Sequence, residues 1–323
     1  MIYRVSDINS VNEAEKYLLQ NDIYYSKTYM KNNFFIADTE NLDKKFDNLS
    51  SYIPNEECFF ISKKSGIIQQ KDSFLPKKEF TVISGPCSVE NEKMADETAF
   101  LIKNLGLKYI RGGAFKPRTS PYSFQGMGKE GLKILKKISE IYGLKVITEA
   151  ISEDTLETVS YYSDIIQIGS RNAQNFYLLK KAGKIKKPVL LKRGFMNSIN
   201  EFLNSAEYIA CEGNKNIILC ERGIRTFENA TRNTLDISAV PVINSLSYLS
   251  VIVDPSHAAG RRDIIPSLAK AALAAGADGI MVEIHSDPEK AVSDGKQTLN
   301  FKEFSDMINQ LKTIAPVFGR EIV

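Results

Sequence analysis

The 323-residue chain carries 42 Lys and Arg against 39 Asp and Glu, a net charge of +3 that is too small to imply a nucleic-acid partner. Its 43% hydrophobic and 25% charged content is that of an ordinary globular chain, and no apolar run approaches the roughly 18 residues of a membrane helix. Four dispersed cysteines (Cys58, Cys87, Cys211, Cys220), with no CxxC pair and no signal-peptide pattern, point to a cytoplasmic protein with reduced thiols.

The first 75 residues hold 9 Lys and Arg against 11 Asp and Glu, whereas the remainder holds 33 against 28, so the two parts differ in charge sign. Short strands are expected at Tyr3–Ser6, Tyr24–Met30 with Phe34–Ala37, and Cys58–Ile61. Helical spacing lies between them, first at Val11, Ala14, Tyr17 and Leu18, then at Leu42, Phe46 and Leu49. This pattern predicts a small α+β, ferredoxin-like domain over 1–70, followed by a linker over 71–79 that contains Pro76.

From Phe80 the pattern becomes regular. Apolar, β-branched runs recur at Thr81–Ser84, Lys108–Gly112, Lys145–Thr148, Ile165–Ile168, Pro188–Lys192, Asn216–Cys220, Val251–Asp254 and Gly279–Glu283. Helical stretches fill the gaps, most clearly Lys129–Tyr142, Asn172–Ala182, Ser198–Cys211 and Arg262–Ala275. Eight such units predict a closed (β/α)8 barrel over 80–323; an open doubly wound sheet is the alternative. No GxGxxG follows the first strand, which argues against a dinucleotide-binding version.

A barrel of this kind builds its site at the carboxyl ends of the strands. All eight predicted ends carry ionisable residues. Arg111, Lys116, Arg118, Arg171, Lys192, Arg193 and Arg222 would gather at one mouth, a crowding of like charge that calls for a substrate with more than one anionic group. Any one of them alone reads as a solvated loop cation. The only two His, His257 and His285, fall at the ends of strands seven and eight. His257, Glu283 and Cys87 would meet where strand eight closes on strand one, within reach of Asp294. Thiolate, imidazole and two carboxylates suit a divalent transition metal. Taken singly, Cys87 is equally a buried small residue, His257 a structural imidazole and Asp294 a turn carboxylate. Cys58, Cys211 and Cys220 read as packing residues.

The runs Ile83–Glu90 (ISGPCSVE), Arg111–Ser120 (RGGAFKPRTS), Gln167–Asn172 (QIGSRN) and Val253–His257 (VDPSH) resemble 3-deoxy-7-phosphoheptulonate (DAHP) synthases over about residues 80–315. The nearest subgroup is type I-beta, with a ferredoxin-like regulatory domain. The sister octulosonate synthases, which take arabinose 5-phosphate, typically show Asn-Arg-Ser in the loop after strand two. This chain has Lys116-Pro117-Arg118-Thr119-Ser120, the erythrose 4-phosphate form. One departure is Ser170, where the family usually has Ala; the family uses the backbone N–H there, which Ser also provides.

The resemblance implies a metal-dependent, aldol-type condensation of phosphoenolpyruvate with erythrose 4-phosphate, opening the shikimate route to aromatic amino acids. It implies Cys87, His257, Glu283 and Asp294 as ligands of one divalent ion (Mn, Fe, Co, Zn or similar). Arg111, Lys116, Ser170, Arg171, Lys192 and Arg222 would hold phosphoenolpyruvate, and Lys116, Pro117, Arg118 and Thr119 erythrose 4-phosphate. Lys116 is expected to move a proton or polarise the aldehyde, and Glu149 to orient water or act as a base. Tyr or Phe is the expected allosteric inhibitor, and a homotetramer the expected assembly. A non-catalytic phosphosugar-binding barrel would lack one or more of these residues; all are present.

Overall fold

The computed structural model describes residues 73–323 throughout and, before them, 2–5, 8–21, 23, 26–30, 33–37, 42, 46 and 49–51. The N-terminal part comprises β1 (Ile2–Val5), α1 (Ile8–Gln20), β2 (Ser26–Met30), β3 (Asn33–Ala37) and β4 (Leu49–Ser51). The four strands among its described residues lie in the order β2-β3-β1-β4 with every neighbour antiparallel, the arrangement of a ferredoxin-like sheet. The apolar face of α1, with Val11, Ala14 and Leu18, packs with Tyr3 and Leu42. The Tyr3 hydroxyl accepts the Leu42 N–H at 3.0 Å, which satisfies its buried oxygen. Leu49, expected on a helix with Leu42 and Phe46, instead pairs with Val5 in the sheet. The strand expected at Cys58–Ile61 lies outside the described residues.

The barrel follows as β5 (Glu79–Gly85), α2 (Glu92–Asn104), β6 (Tyr109–Arg111), α3 (Lys129–Tyr142), β7 (Lys145–Ala150), α4 (Glu153–Tyr162), β8 (Ile165–Ile168), α5 (Phe176–Gly183), β9 (Val189–Lys192) and α6 (Ile199–Ala210). It continues through β10 (Ile217–Glu221), α7 (Ala239–Leu246), β11 (Ser250–Val253), α8 (Pro255–Ala259), α9 (Ile265–Ala274), β12 (Gly279–Glu283), α10 (Phe301–Ile314) and β13 (Glu321–Ile322). Strands β5 to β12 run parallel in chain order, and β12 pairs with β5 from Gly279↔Thr81 to Glu283↔Gly85. That pairing closes the barrel and eliminates the open sheet. Strand β13, which the periodicity did not suggest, adds alongside the start of β5.

Two apolar shells hold the barrel. Val82, Ile110, Val146, Ile166, Leu191, Leu219, Val251 and Ile280 point outward beneath the helices, in one continuous core with residues such as Leu135, Leu179, Phe202 and Phe304. Ile83, Ile147, Ile165, Leu190, Ile218, Cys220, Ile252 and Met281 fill the interior. Side chains alternate along a strand, so inward positions recur every second residue. Two residues past Ile83, Tyr109, Ile147, Ile165, Leu190, Cys220, Ile252 and Met281 stand Gly85, Arg111, Glu149, Gln167, Lys192, Arg222, Asp254 and Glu283. The apolar layer therefore gives way within one step to a layer of polar groups. At Gly85 (φ 152°) a Cβ would lie 1.9 Å from the Arg111 carbonyl oxygen, so only glycine permits the closure there.

The stretch read as a linker contributes to the barrel itself. Leu75 is buried in the interior cluster, and its N–H donates to Ser250 Oγ at 3.0 Å. Lys77 Nζ lies 2.8 Å from buried Asp278, and β5 begins at Glu79. Residues 73–79 thus plug the amino-terminal end of the barrel. Leu75→Ala should cost about 2–5 kcal/mol, as large-to-small core changes do. A fall in the denaturant midpoint with an unchanged slope would register it; an unchanged midpoint would show that Leu75 fills no space that matters.

Candidate active site at the barrel mouth

A cavity of about 260 Å³ opens at the carboxyl ends of the strands, lined by Arg111, Lys116, Arg118, Arg171, Lys192, Arg222 and Arg232 against two carboxylates, Glu149 and Asp294. Pro117, Thr119, Gln167, Ser170, Phe195 and His257 complete most of the wall. Seven fixed cations facing two fixed anions around so small a volume repel one another unless anions occupy it. Arg193 does not join them. Its guanidinium is 2.8 Å from both Glu221 Oε2 and Asp236 Oδ2 and donates to the Asn197 carbonyl, so it braces the loops after β9 and β10. The cation expected there at the mouth is a strut because the buried Glu221 and the half-buried Asp236 claim it first.

One wall of the cavity holds the cluster of donors. Cys87 Sγ is 3.2 Å from Asp294 Oδ2, and His257 Nε2 is 3.3 Å from Glu283 Oε1. Ligand atoms of Cys87, Glu283 and Asp294 all lie within 4.8 Å of one another. His285 stands apart: its Nδ1 accepts the Asp287 N–H and its Nε2 faces Glu90 at 3.6 Å. Asp294 is the only non-glycine residue of positive φ (55°) among the described residues, a conformation that costs energy and here turns a carboxylate toward Cys87.

The protonation states suit a cation. Burial disfavours the charged imidazole of His257 and lowers its pKa, against the pull of Asp254. A neutral His257 donates Nδ1–H to Asp254 Oδ2 at 2.7 Å and leaves the Nε2 lone pair facing the cluster. Burial alone would raise Asp294, but His257 and Arg232 hold it at about 2. Glu283 is likewise lowered despite complete burial, by His257 and by Arg111 at 3.3 Å. Burial, then the Glu283 carboxylate, pushes the Cys87 thiol up to about 12. The buried Glu283 carboxylate, the half-buried Asp294 carboxylate and the Cys87 thiol, clustered beside a neutral imidazole, form a donor set that fits a divalent transition metal.

The remaining residues surround this cluster. Lys116 Nζ is 3.0 Å from both the Sγ and the carbonyl oxygen of Cys87. Arg118 donates to Ser293 Oγ at 2.7 Å, tying the Lys-Pro-Arg-Thr-Ser loop to the segment that carries Asp294. Arg111 donates to the Pro86 carbonyl at 2.5 Å. Glu149 accepts from Gln167 at 3.0 Å, and Lys192 Nζ is 2.6 Å from Asp254 Oδ2. Arg171 is exposed at the rim, 3.5 Å from Thr119 Oγ1. The Phe195 ring gathers the guanidinium carbons of Arg222 (4.7 Å), Arg225 (4.9 Å) and Arg171 (5.9 Å), which offsets part of their repulsion.

The model of the DAHP synthetase I family matches residues 60–316. The chain belongs to that family. A family member from Thermotoga maritima, phospho-2-dehydro-3-deoxyheptonate aldolase, is 61% identical over 243 residues, covering 75% of this chain and 72% of that protein. The crystal structure of a Thermotoga maritima phospho-2-dehydro-3-deoxyheptonate aldolase (DAHP synthase) superposes with a TM-score of 0.79 at 45% identity, covering all of this chain and 98% of the other. The family's wider kinship shows in the 2-dehydro-3-deoxyphosphooctonate aldolase of Geotalea uraniireducens, 31% identical across 73% of this chain and 93% of that protein.

The structure adds Phe195, Arg232, Gln167, Asp254 and Ser293 to the residues expected at this candidate site. Gln167 and Asp254 occupy inward strand-end positions, so the two-residue period could have found them. Arg232 and Ser293 reach the site from long loops, where no period applies, and Phe195 reads as an ordinary apolar residue.

A metal ion bound at Cys87 would have to displace the proton of a thiol that burial pushes up to about 12. The apparent affinity for Mn2+ should therefore rise about tenfold per pH unit between roughly pH 6 and 8. In Cys87→Ala the affinity should fall and the slope flatten, and His257→Ala should also lower bound metal. Chelator competition reads both; a Cys87→Ala protein with wild-type metal content would remove Cys87 from the ligand set.

Proposed function

We infer that the chain is a DAHP synthase, joining phosphoenolpyruvate to erythrose 4-phosphate with release of phosphate, at the start of aromatic amino-acid biosynthesis. The observation that carries this reading is the seven-cation cavity, lined also by the Lys116–Ser120 loop and His257, against the cluster of Cys87, Glu283 and Asp294. Two phosphates and a carboxylate need this much positive charge. A bound divalent ion would supply Lewis acidity toward the aldehyde oxygen or fix a water.

The protein's own groups divide the remaining work. Arg111, Lys192, Arg222 and Arg171, with the backbone at Ser170, hold the carboxylate and phosphate of phosphoenolpyruvate. Arg118 and Thr119 take the phosphate of erythrose 4-phosphate, with Pro117 shaping the loop. Carbon 3 of the enol then attacks the aldehyde carbon, and Lys116 delivers a proton to the oxygen that becomes a hydroxyl. Glu149, anchored by Gln167, orients the water that adds at carbon 2 before phosphate leaves. Holding two reactants in register replaces a bimolecular encounter, worth up to roughly 7–11 kcal/mol.

We assign residues 1–70 to a regulatory domain that binds Tyr or Phe, and 80–323 together with the plugging segment 73–79 to the catalytic barrel, in a homotetramer of the cytoplasm. The free thiols of Cys87, Cys211 and Cys220 suit that compartment. Among the described residues no helix is long and apolar enough to cross a membrane.

Assay with each sugar phosphate, after chelation and metal add-back, tests the reaction: erythrose 4-phosphate should be consumed and arabinose 5-phosphate should not. Arg118→Ala should raise the KM for erythrose 4-phosphate by about 10- to 150-fold, the loss of one charged hydrogen bond, with little change for phosphoenolpyruvate. Arg171→Ala should do the reverse; equal effects on both substrates would dissolve the separation.

Since Leu75 belongs to the barrel floor, the shortened chain that tests the regulatory domain should begin at Ser73. It should remain active and lose inhibition by Tyr or Phe, a coupling of roughly 1–3 kcal/mol. Equal inhibition of both forms, or of neither, would refute the assignment.

A further inference from the structure

Asp254 touches neither substrate nor metal position in the scheme above, yet it sits between them. It is completely buried at the end of β11. A single oxygen, Oδ2, takes the Lys192 ammonium at 2.6 Å and His257 Nδ1–H at 2.7 Å, while Oδ1 accepts the His257 backbone N–H at 2.9 Å. Its own N–H donates to the Glu221 carbonyl at 2.7 Å, which fixes it on the barrel wall. Lys192 is itself buried, and Asp254 is the carboxylate within salt-bridge distance of it.

Two donors sharing one oxygen compete for it. A cation on His257 Nε2 withdraws electron density from the ring and makes Nδ1–H a stronger donor. Oδ2 is then drawn toward the imidazole, its hold on the ammonium weakens, and Lys192 becomes freer to turn to an incoming phosphate. The reverse also follows. An anion that engages Lys192 leaves Oδ2 to the imidazole, which makes Nε2 more basic toward a metal.

We propose that Asp254 is a positioning residue that couples the two half-sites, so that metal and phosphoenolpyruvate each tighten the other's binding through the shared carboxylate oxygen. The proposal rests on the reading of Lys192 as a phosphoenolpyruvate ligand and of His257 as a metal ligand. Thermodynamic reciprocity requires the two enhancements to be equal, and about tenfold is expected, toward the lower end of common inter-site couplings.

Equilibrium binding without turnover tests this. Phosphoenolpyruvate affinity is measured by dialysis with the full chain, metal-free and Mn2+-loaded, and Mn2+ affinity from the free-ion electron paramagnetic resonance signal with and without phosphoenolpyruvate. In the wild type both dissociation constants should fall by the same factor. In Asp254→Asn, and in Asp254→Glu, which keeps the charge but displaces the oxygen, both ligands should still bind, more weakly, with the mutual enhancement reduced below about twofold. An uncoupled wild type would overturn the proposal. So would a folded variant of either kind that kept the full factor, because direct attraction between metal and substrate would then account for it. The wild-type arm stands even where a variant does not fold. A wild type that bound no phosphoenolpyruvate would instead overturn the functional reading beneath it.

Discussion

The organising constraint is that a closed parallel barrel turns every second side chain inward, where there is no solvent to receive a charge. The chain satisfies it by confining ionic groups to a single level. Below that level lie aliphatic side chains, Tyr109, Cys220 and Met281; at it stand Arg111, Glu149, Gln167, Lys192, Arg222, Asp254 and Glu283. Moving any of these charges one inward position deeper would bury it without a partner, at a cost of several kcal/mol. The site is therefore pinned to one end of the barrel by desolvation before any substrate is considered.

Within that level the charges fall into two kinds. Arg111 with Glu283, and Lys192 with Asp254, are paired at 3.3 Å and 2.6 Å. Among the described residues Arg222, though 3% exposed, donates to the His257 carbonyl and leaves a buried NH1 without a partner. Burial lowers its pKa, which marks the strain of holding that cation. Arg111, although paired, also keeps a buried Nε without a partner among the described residues, so both guanidinium groups retain donor capacity. Phe195 gives the guanidinium groups of Arg222, Arg225 and Arg171 a ring to lean on.

Much of this was legible in the sequence because period and chemistry coincide at strand ends. The eight strand positions and the closing contact between the last strand and the first follow from alternation plus barrel closure, which also brings the strand ends bearing Cys87, His257 and Glu283 to one seam; Asp294 was placed only by the reach of its loop. What escaped depends on partners distant in sequence. Arg193 carries the same local signal as Lys192, and only Glu221 and Asp236, 28 and 43 residues on, make it a strut. Leu75 follows a polar run and looks like spacer until the barrel floor appears above it. Leu49 fits the helical spacing of Leu42 and Phe46, yet strand pairing with Val5 prevails, as tertiary contact commonly does over local pattern.

The short strand β13 brings Glu321 and Ile322 beside Glu79 and Phe80, and the Val323 carbonyl accepts the Val82 N–H at 2.7 Å. The first and last strands of the barrel segment are thus stitched to one another on the floor side, across from the catalytic loops. Residues more than two hundred positions apart are thereby clamped side by side on the floor, so the catalytic loops are borne by a base whose seam lies as far from them as the barrel allows.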